Sequence, residues 1–252
     1  MEFFDSHCHF NDSKFELDRD EIIKKTFLEG VTKVNCAGYD VASSIEAIKL
    51  AEQYDFIYAS CGISPNDVHD AKKIDQIDKI LDNKKVVAVG EIGLDYYWNK
   101  DNKDIQKELF IKQIELANIH NLPIQIHTRD AHIDTISILR EHSVNNKGIF
   151  HCCPLNQELI KEAVELGFYI SFCGNITFKN ANSTPCIKLV PMDQILIETD
   201  SPYLSPEPNR GKRNDSRNVR YVAQKISEVT NLSIDEVAKI TYHNACRVFK
   251  LL

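Results

Sequence analysis

Two histidines separated by a single residue lie near the start of the chain, in the segment Asp5-Ser6-His7-Cys8-His9. Side chains alternate along an extended segment, so His7 and His9 are predicted on one face and Cys8 on the other. Two imidazoles on one face supply half of a metal site. The alternative is that they are loop residues with no shared role, since so short a motif often arises by chance. The pair can be part of a metal site only if further ligands come from distant parts of the chain.

Eight short apolar runs rich in β-forming residues follow one another, most of them separated by helical patterns. Near-continuous apolar runs of this kind are typical of strands in a parallel sheet covered on its outer face. The predicted strands are residues 3–7, 31–36, 56–61, 86–91, 123–127, 148–151, 168–172 and 194–198.

Helices are predicted where apolar residues recur at helical spacing between these runs. The last one opens with Ser233 and Glu236, the signature of a capping box. The predicted helices are residues 20–29, ended by Gly30, 103–120, 159–166, ended by Gly167, 218–230 and 233–249.

Alternating strand and helix signals indicate βαβ units and a parallel sheet. Eight units in 252 residues favour a single-domain α/β fold, a (β/α)8 TIM-type barrel spanning residues 1–252. A doubly wound open sheet is the alternative, because the number of strands does not prove closure.

Barrel enzymes place their chemistry at the carboxyl ends of the strands. Four histidines and two carboxylates fall at or just beyond such ends, so we expect them to converge on one rim. The remaining histidines, at positions 69, 120, 132, 142 and 243, fall in helices or loops and are interpreted as surface or structural residues. The six candidate metal ligands are His7, His9, Glu91, His127, His151 and Asp200.

Six ligands are too many for one tetrahedral zinc ion that keeps an open position, and they suit two divalent cations about 4 Å apart. Glu91, on the central strand of the set, is predicted to bridge the cations. Asp200 is predicted to bind a cation and accept a proton from the attacking water. Mixed imidazole and carboxylate ligands leave the metal open among zinc, manganese, iron and magnesium.

The composition narrows the class of protein. A net charge of −7 argues against broad charge-driven binding of nucleic acid, although a local basic patch remains compatible with it. No apolar run reaches the length that spans a bilayer, and the N-terminus lacks a secretory signal pattern. The eight cysteines lack the spacing of a disulfide framework and are predicted to be mostly buried free thiols.

Several separated motifs make the chain resemble the TatD family of metal-dependent deoxyribonucleases, within the amidohydrolase superfamily. They are residues 5–9 (DSHCH), 90–97 (GEIGLDYY), 127–131 (HTRDA), 198–204 (ETDSPYL) and 210–214 (RGKRN). The resemblance runs nearly end to end. It implies a TIM-type barrel, two divalent cations (Mg²⁺ first, with Mn²⁺ or Zn²⁺ as alternatives) and a cytoplasmic location.

The implied reaction is hydrolysis of DNA phosphodiester bonds, as a 3′-to-5′ exonuclease acting on single strands or frayed ends. By the same resemblance, His7, His9, Glu91 and Asp200 hold one cation, and Glu91, His127 and His151 hold the other. No membrane and no obligate protein partner is expected.

Four residues are expected to contact the substrate. Tyr96 follows Glu91 on the same rim, with Tyr97 and Trp98 beyond it. These rings either stack on unpaired bases or pack against the protein. Arg129, Arg210 and Lys212 are predicted to bind phosphate oxygens.

The sequence also departs from the family pattern. Ser64 stands where the family commonly has histidine, and residues 151–155 (HCCPL) lack the usual glycine shortly after the histidine. Asn209 and the pair Asp215-Ser216 also differ from the commoner His and Glu-Pro. None of these removes a predicted ligand. Two other functions therefore stay open: an ester or amide hydrolase, such as an aminoacyl-tRNA deacylase, and a non-catalytic metal-binding protein.

Overall fold

The computed structural model describes residues 1–98 and 100–251. Eight parallel strands form one sheet in sequence order, β1 to β8. The strands are β1 (Phe3–Cys8), β2 (Val31–Ala37), β3 (Ile57–Cys61), β4 (Val86–Asp95), β5 (Ile124–Arg129), β6 (Gly148–Phe150), β7 (Tyr169–Phe172) and β8 (Ile195–Ile197).

Helices follow the strands and cover the outer face of the sheet. The capping box at Ser233 and Glu236 is present. The α-helices are α1 (Arg19–Leu28), α2 (Val41–Gln53), α3 (Ile74–Ile80), α4 (Lys103–Ile119), α5 (His132–Glu141), α6 (Gln157–Glu165), α7 (Ser183–Leu189), α8 (Val219–Thr230) and α9 (Ile234–Val248). Across the described ranges, none of these helices combines the length and apolar character needed to cross a membrane.

Hydrogen bonds between the first and last strands bring the sheet back on itself. The backbone N–H of Asp200 donates to the carbonyl of His7 at 3.0 Å, and the N–H of His9 donates to the carbonyl of Ser201 at 2.7 Å. The Ser6 hydroxyl donates to the Ile197 carbonyl at 3.1 Å. A doubly wound open sheet would leave these edges apart, so the predicted (β/α)8 barrel is confirmed.

The apolar core lies mainly between the strands and the surrounding helices, while a second cluster closes the amino-terminal end of the barrel. In that cluster Phe4 packs against Tyr242 and Phe249 of the C-terminal segment, with ring centroids 6.0 and 5.7 Å apart. The carboxyl ends of the strands are free of such a plug. This rim is where polar side chains collect.

Two strands carry a β-bulge beside a predicted metal ligand. Asp5 and Cys8 of β1 pair with Val34 and Cys36 of β2, so three residues of β1 lie opposite two of β2. Likewise, Val89 and Ile92 of β4 pair with Ile124 and Ile126 of β5, so β4 has one extra residue there. A bulge bends a strand and redirects its side chains. His7 and Glu91 lie within these two bulges, so both are turned by irregularities that strand alternation does not predict.

Strand β4 runs four residues further than predicted and passes very close to β5. Gly93 has φ +136°, and a Cβ at this position would lie 2.0 Å from the carbonyl oxygen of His127. Glycine alone avoids that overlap. The close approach holds the ends of β4 and β5 together, with Glu91 and His127 on the same rim.

Candidate active site

The six predicted ligands meet at the carboxyl-terminal rim of the barrel. They lie on β1, β4 and β5, directly after β1 and β6, and three residues beyond the end of β8, and they are buried or largely buried. Asp200 adopts a left-handed backbone conformation with φ 53°, which aspartate tolerates better than most residues. Segments far apart in sequence thus bring four imidazoles and two carboxylates to one point.

The first group of donor atoms surrounds a gap between β1 and the segment after β8. His7 Nε2 and His9 Nε2 lie 3.2 Å apart. Asp200 Oδ1 lies 3.8 Å from the former and 3.3 Å from the latter. Glu91 Oε2 completes the group at 3.6 and 3.8 Å from the same two nitrogens.

The second group is formed around the other oxygen of the same glutamate. Glu91 Oε1 lies 2.9 Å from His127 Nδ1 and 3.3 Å from His151 Nε2. These two nitrogens are themselves 3.2 Å apart. The two oxygens of Glu91 therefore face two different sets of nitrogens, as a bridging carboxylate requires.

The outward nitrogens of the imidazoles contact protein groups that fix the rings. His7 Nδ1 lies 2.9 Å from Gln125 Oε1, and His9 Nδ1 lies 2.9 Å from the carbonyl oxygen of Ala37. Such outer contacts set which ring nitrogen carries the proton and keep the inward nitrogen available as a ligand.

Carboxylates contact the outward nitrogens of the other two imidazoles, those of His127 and His151. Asp95 Oδ2 lies 3.0 Å from His127 Nε2. Glu198 Oε1 lies 3.5 Å from His151 Nδ1 and also accepts a hydrogen bond from the backbone N–H of Cys152 at 2.6 Å. Both carboxylates are fully buried.

Sequence reasoning missed Asp95, Gln125 and Glu198. Gln125 and Glu198 each precede a predicted ligand by two residues, the strand spacing that puts side chains on one face. A polar side chain at that spacing inside an apolar run is the signal that could have revealed them.

The inward nitrogens of the imidazoles are arranged as ligands of a cation. A carbonyl oxygen only accepts hydrogen bonds, so the outward nitrogen of His9 donates, and in the neutral ring its Nε2 presents a lone pair. The Gln125 amide oxygen likewise makes His7 Nδ1 a donor. Two lone pairs facing each other at 3.2 Å repel unless a proton or a cation lies between them. Imidazole and carboxylate donors around such gaps fit divalent metal ions.

The electrostatics of the metal-free site follow from burial and mutual contact. Burial alone would raise the pKa of Glu91, but the surrounding imidazoles hold it well below its usual range. Burial would lower the pKa of His9, yet the contact with Asp200 raises it to about 9. The pKa of Asp200 is lowered, since the imidazolium charge outweighs its burial. Without metal, protons on the histidines balance the carboxylate charge.

Metal binding is therefore expected to release protons. A cation needs the Nε2 lone pair of His9, which carries a proton below a pH of about 9. We expect the apparent affinity to fall as pH is lowered from about 9 towards 6. Titration calorimetry at pH 7.5 in two buffers of different ionisation enthalpy measures the release directly. Identical heats in the two buffers would contradict the expectation.

Replacing Asp95 by asparagine is expected to weaken metal binding by about 10–100-fold, the usual cost of losing an outer carboxylate. The neutral amide no longer stabilises the imidazole of His127, whose Nδ1 faces Glu91. Metal affinity measured by competition with a chelating dye tests this effect. The exposed Asp75→Asn variant on α3 is the matched control, and equal affinities for the two variants would rule out the role of Asp95.

A cavity of about 680 Å³ is lined by five of the six predicted ligands, all except His7. Arg129 and Trp98 line it, together with Asn66, Asp67 and Tyr203. Arg129 stacks on the neighbouring aromatic ring of Tyr97, 3.7 Å from its centroid, and lies 5.4 Å from that of Trp98. The structure therefore places Arg129 beside the donor groups, and its binding of phosphate stays a prediction.

Tyr96 does not take the predicted position at the substrate. Its ring is buried, and its hydroxyl donates to Asp134 of α5 at 2.7 Å. The ring packs beneath the rim and does not line the cavity. Trp98, whose residue surface is 68% exposed, is the aromatic residue of this segment that lines the cavity.

Arg210 and Lys212 also lie away from the cavity wall. The Arg210 guanidinium lies 3.7 Å from the ring centroid of Phe178 and donates to the carbonyl of Ser205. Lys212 lines a separate depression of about 340 Å³ with Arg213 and Arg217. The loop after β8 turns outwards, so closeness to Asp200 in sequence does not place these cations over the site.

The wall near Ser64 is acidic rather than basic. The Ser64 hydroxyl donates to Asp67 Oδ2 at 2.6 Å, and both residues line the cavity. Asn66 donates to Asp95 Oδ2 at 3.3 Å. The family pattern has a histidine at position 64, so this chain presents a hydroxyl and a carboxyl there instead of an imidazole.

Comparison with known proteins identifies the family of this chain. A family model described as TatD-related DNase matches residues 4–250. The uncharacterized metal-dependent hydrolase YabD of Bacillus subtilis (strain 168) is 43% identical over 252 residues, covering 98% of this chain and 99% of YabD. The uncharacterized metal-dependent hydrolase YcfH of Escherichia coli (strain K12) is 36% identical over 256 residues, covering 100% and 97%.

Solved structures show the same fold. The crystal structure of YjjV, a TatD homologue from Escherichia coli K12, superposes with a TM-score of 0.93 at 27% identity, covering 98% of both chains. A β-aspartyl dipeptidase from Fervidobacterium islandicum, at 18% identity, superposes with a TM-score of 0.62 and shares the fold. The protein belongs to the TatD-related DNase family. It is a metal-dependent hydrolase of that family.

Proposed function

We propose that this protein hydrolyses phosphodiester bonds of DNA, using two divalent cations held by His7, His9, Glu91, His127, His151 and Asp200. The observation that carries the proposal is the placement of the two Glu91 oxygens towards two separate donor groups. Two cations about 4 Å apart are typical of phosphoryl-transfer hydrolases. Mg²⁺ is the first choice of metal, with Mn²⁺ and Zn²⁺ as alternatives.

Bound cations would supply Lewis acidity for the attack of water on the phosphate. The protein supplies position and proton transfer. Glu91 would offer one oxygen to each donor group, while Gln125 and Asp95 hold the rings of His7 and His127. Asp200, whose lowered pKa keeps it ionised at neutral pH, accepts the proton of the attacking water.

Arg129 and Trp98 give the cavity features that suit a single strand. A guanidinium binds phosphate oxygens in a bidentate manner, and an exposed indole stacks on any unpaired base. The backbone N–H groups of Tyr97 and Trp98 both donate to Asp95 Oδ1, at 2.9 and 3.2 Å. The carboxylate that orients His127 therefore also fixes the aromatic segment relative to the donors.

Replacing Trp98 by alanine is expected to raise KM for a single-stranded oligonucleotide by about 5–150-fold, since one stacked base contributes roughly 1–3 kcal/mol. A phenylalanine at this position keeps an aromatic face and should restore most of the affinity. Steady-state kinetics with both variants measure the effect. A KM unchanged in Trp98→Ala would remove the indole from the substrate site.

The direct test of the function uses oligonucleotides labelled at the 3′ or the 5′ end, incubated with Mg²⁺, Mn²⁺ or Zn²⁺. Cleavage from the 3′ end releases label from the first substrate as a mononucleotide and leaves a descending ladder from the second. An internal cut in a circular single strand would replace the exonuclease assignment with an endonuclease.

One observation favours a second candidate, hydrolysis of a carboxylic ester or an amide. The acidic wall formed by Ser64 and Asp67 presents no cation to a phosphate on that side of the cavity. An aminoacyl-tRNA and a panel of esters and amides therefore belong in the same assay. Activity on these substrates without cleavage of DNA under any cation would replace the nuclease proposal.

A further inference from the structure

Two thiols lie side by side in the wall of the active-site cavity. Cys152 directly follows His151 after β6, and Cys173 directly follows β7. Their sulfur atoms are 2.8 Å apart. Cys152 lines the cavity and is partly exposed, whereas the other seven cysteines are buried. A small molecule in the cavity therefore has access to this pair.

The spacing of the sulfurs distinguishes between two chemistries. Together with Glu198 the thiols form a cluster of potential metal ligands. However, two thiolates bound to one tetrahedral zinc, with bonds of about 2.3 Å, lie roughly 3.8 Å apart. A disulfide brings them to about 2.05 Å. The observed 2.8 Å is nearer to the bonded distance.

The carboxylate of the cluster is already engaged. Glu198 Oε1 accepts the backbone N–H of Cys152 at 2.6 Å and faces His151 Nδ1 at 3.5 Å. Glu198 would have to give up these contacts to bind a soft metal together with the two thiols. Both observations favour bond formation between the sulfurs over metal capture.

We propose that Cys152 and Cys173 form a reversible disulfide when the protein meets a peroxide. Each thiol gives up one proton and one electron, a sulfur–sulfur bond forms, and one hydrogen peroxide is reduced to two waters. A dithiol reverses the reaction by thiol–disulfide exchange. This site lies outside the six donors and does not depend on which bond the enzyme hydrolyses.

The bond would cross-link the two segments that follow β6 and β7. These segments enclose α6 and β7, and the first of them carries His151. Closing a loop of this length stabilises a fold mainly by restricting the unfolded chain. We expect oxidation to raise Tm by about 5–10 °C.

Peptide mapping after treatment with hydrogen peroxide tests the proposal. Trypsin separates Cys152 and Cys173 into peptides 148–161 and 162–179. We expect a cross-linked pair of these peptides, a fall from eight free thiols to six, and a higher Tm, all reversed by dithiothreitol. Alkylation before unfolding prevents exchange during the digest.

Matched serine variants identify the sulfurs. Cys173→Ser must abolish the cross-link and the rise in Tm, whereas Cys153→Ser, in the same peptide as Cys152, and Cys246→Ser on α9 must retain both. Cys152→Ala is a second way to remove the pair if the Cys173 variant fails to fold. Eight thiols that persist, a bond between Cys152 and Cys153, or a cross-link that survives in Cys173→Ser would each overturn the proposal.

Discussion

Replacing Glu91 by glutamine is expected to lower the rate of hydrolysis by about 10³-fold or more. The amide keeps the size of the side chain but loses the charge, and one of its two ends can no longer bind a cation. Lewis-acid stabilisation contributes several kcal/mol, and each 1.4 kcal/mol changes a rate tenfold. Both donor groups include an oxygen of this residue, so both are weakened together.

Elemental analysis separates this effect from a loss of folding. We expect Glu91→Gln to retain its fold by circular dichroism and to bind fewer than two cations per chain. The exposed Glu108→Gln variant on α4 should match the wild type in both rate and metal content. A Glu91→Gln enzyme with full metal content and full activity would show that the carboxylate does not bridge.

Replacing Asp200 by asparagine is expected to lower kcat by about 10²–10⁴-fold, the range for loss of a general base. Asparagine tolerates the left-handed backbone found here, φ 53°, so the segment after β8 should keep its course. Loss of the carboxylate should also lower the pKa of His9, whose value of about 9 depends on that contact. The pH dependence of metal binding should therefore shift to lower pH.

Kinetics under saturating metal separate the two roles of Asp200. If the carboxylate accepts the proton, kcat stays low even when metal is saturating. Recovery of the wild-type rate at high metal concentration would show that Asp200 acts as a ligand alone. Asp193→Asn, an exposed residue before β8, is the matched control and should leave both kcat and the pH profile unchanged.

The barrel and the meeting point of the donors could be predicted from sequence because both follow from simple geometry. Parallel strands linked by helices place all their carboxyl ends on one rim. His127 and Asp200 are far apart in sequence, yet each lies at or just beyond the end of an apolar run. Their convergence therefore needed only the order and the ends of the strands.

The orientation of the donors depends on features that periodicity does not encode. The bulges at His7 and Glu91 come from register shifts against β2 and β5. The long β4 depends on the close approach of Gly93 to His127. Both arise from the neighbouring strand, so a pattern within one strand cannot predict them.

The substrate contacts were harder to predict because they depend on where loops turn. Tyr96 is held under the rim by Asp134, which lies on a helix far along the chain. Arg210 packs on Phe178 after an outward turn of the loop that follows β8. Arg129 could be placed because it ends a strand two residues after His127. Residues on strands were positioned by the fold, whereas loop residues were positioned by partners elsewhere.

The central claim is that Glu91 holds two cations between the two donor groups. A crystal structure of the protein grown with Mn²⁺, measured at a wavelength where manganese scatters anomalously, tests it most directly. We expect two anomalous peaks about 4 Å apart, one beside His7, His9 and Asp200 and the other beside His127 and His151, with a Glu91 oxygen on each. A single peak at saturating Mn²⁺, or two peaks that Glu91 does not bridge, would contradict it.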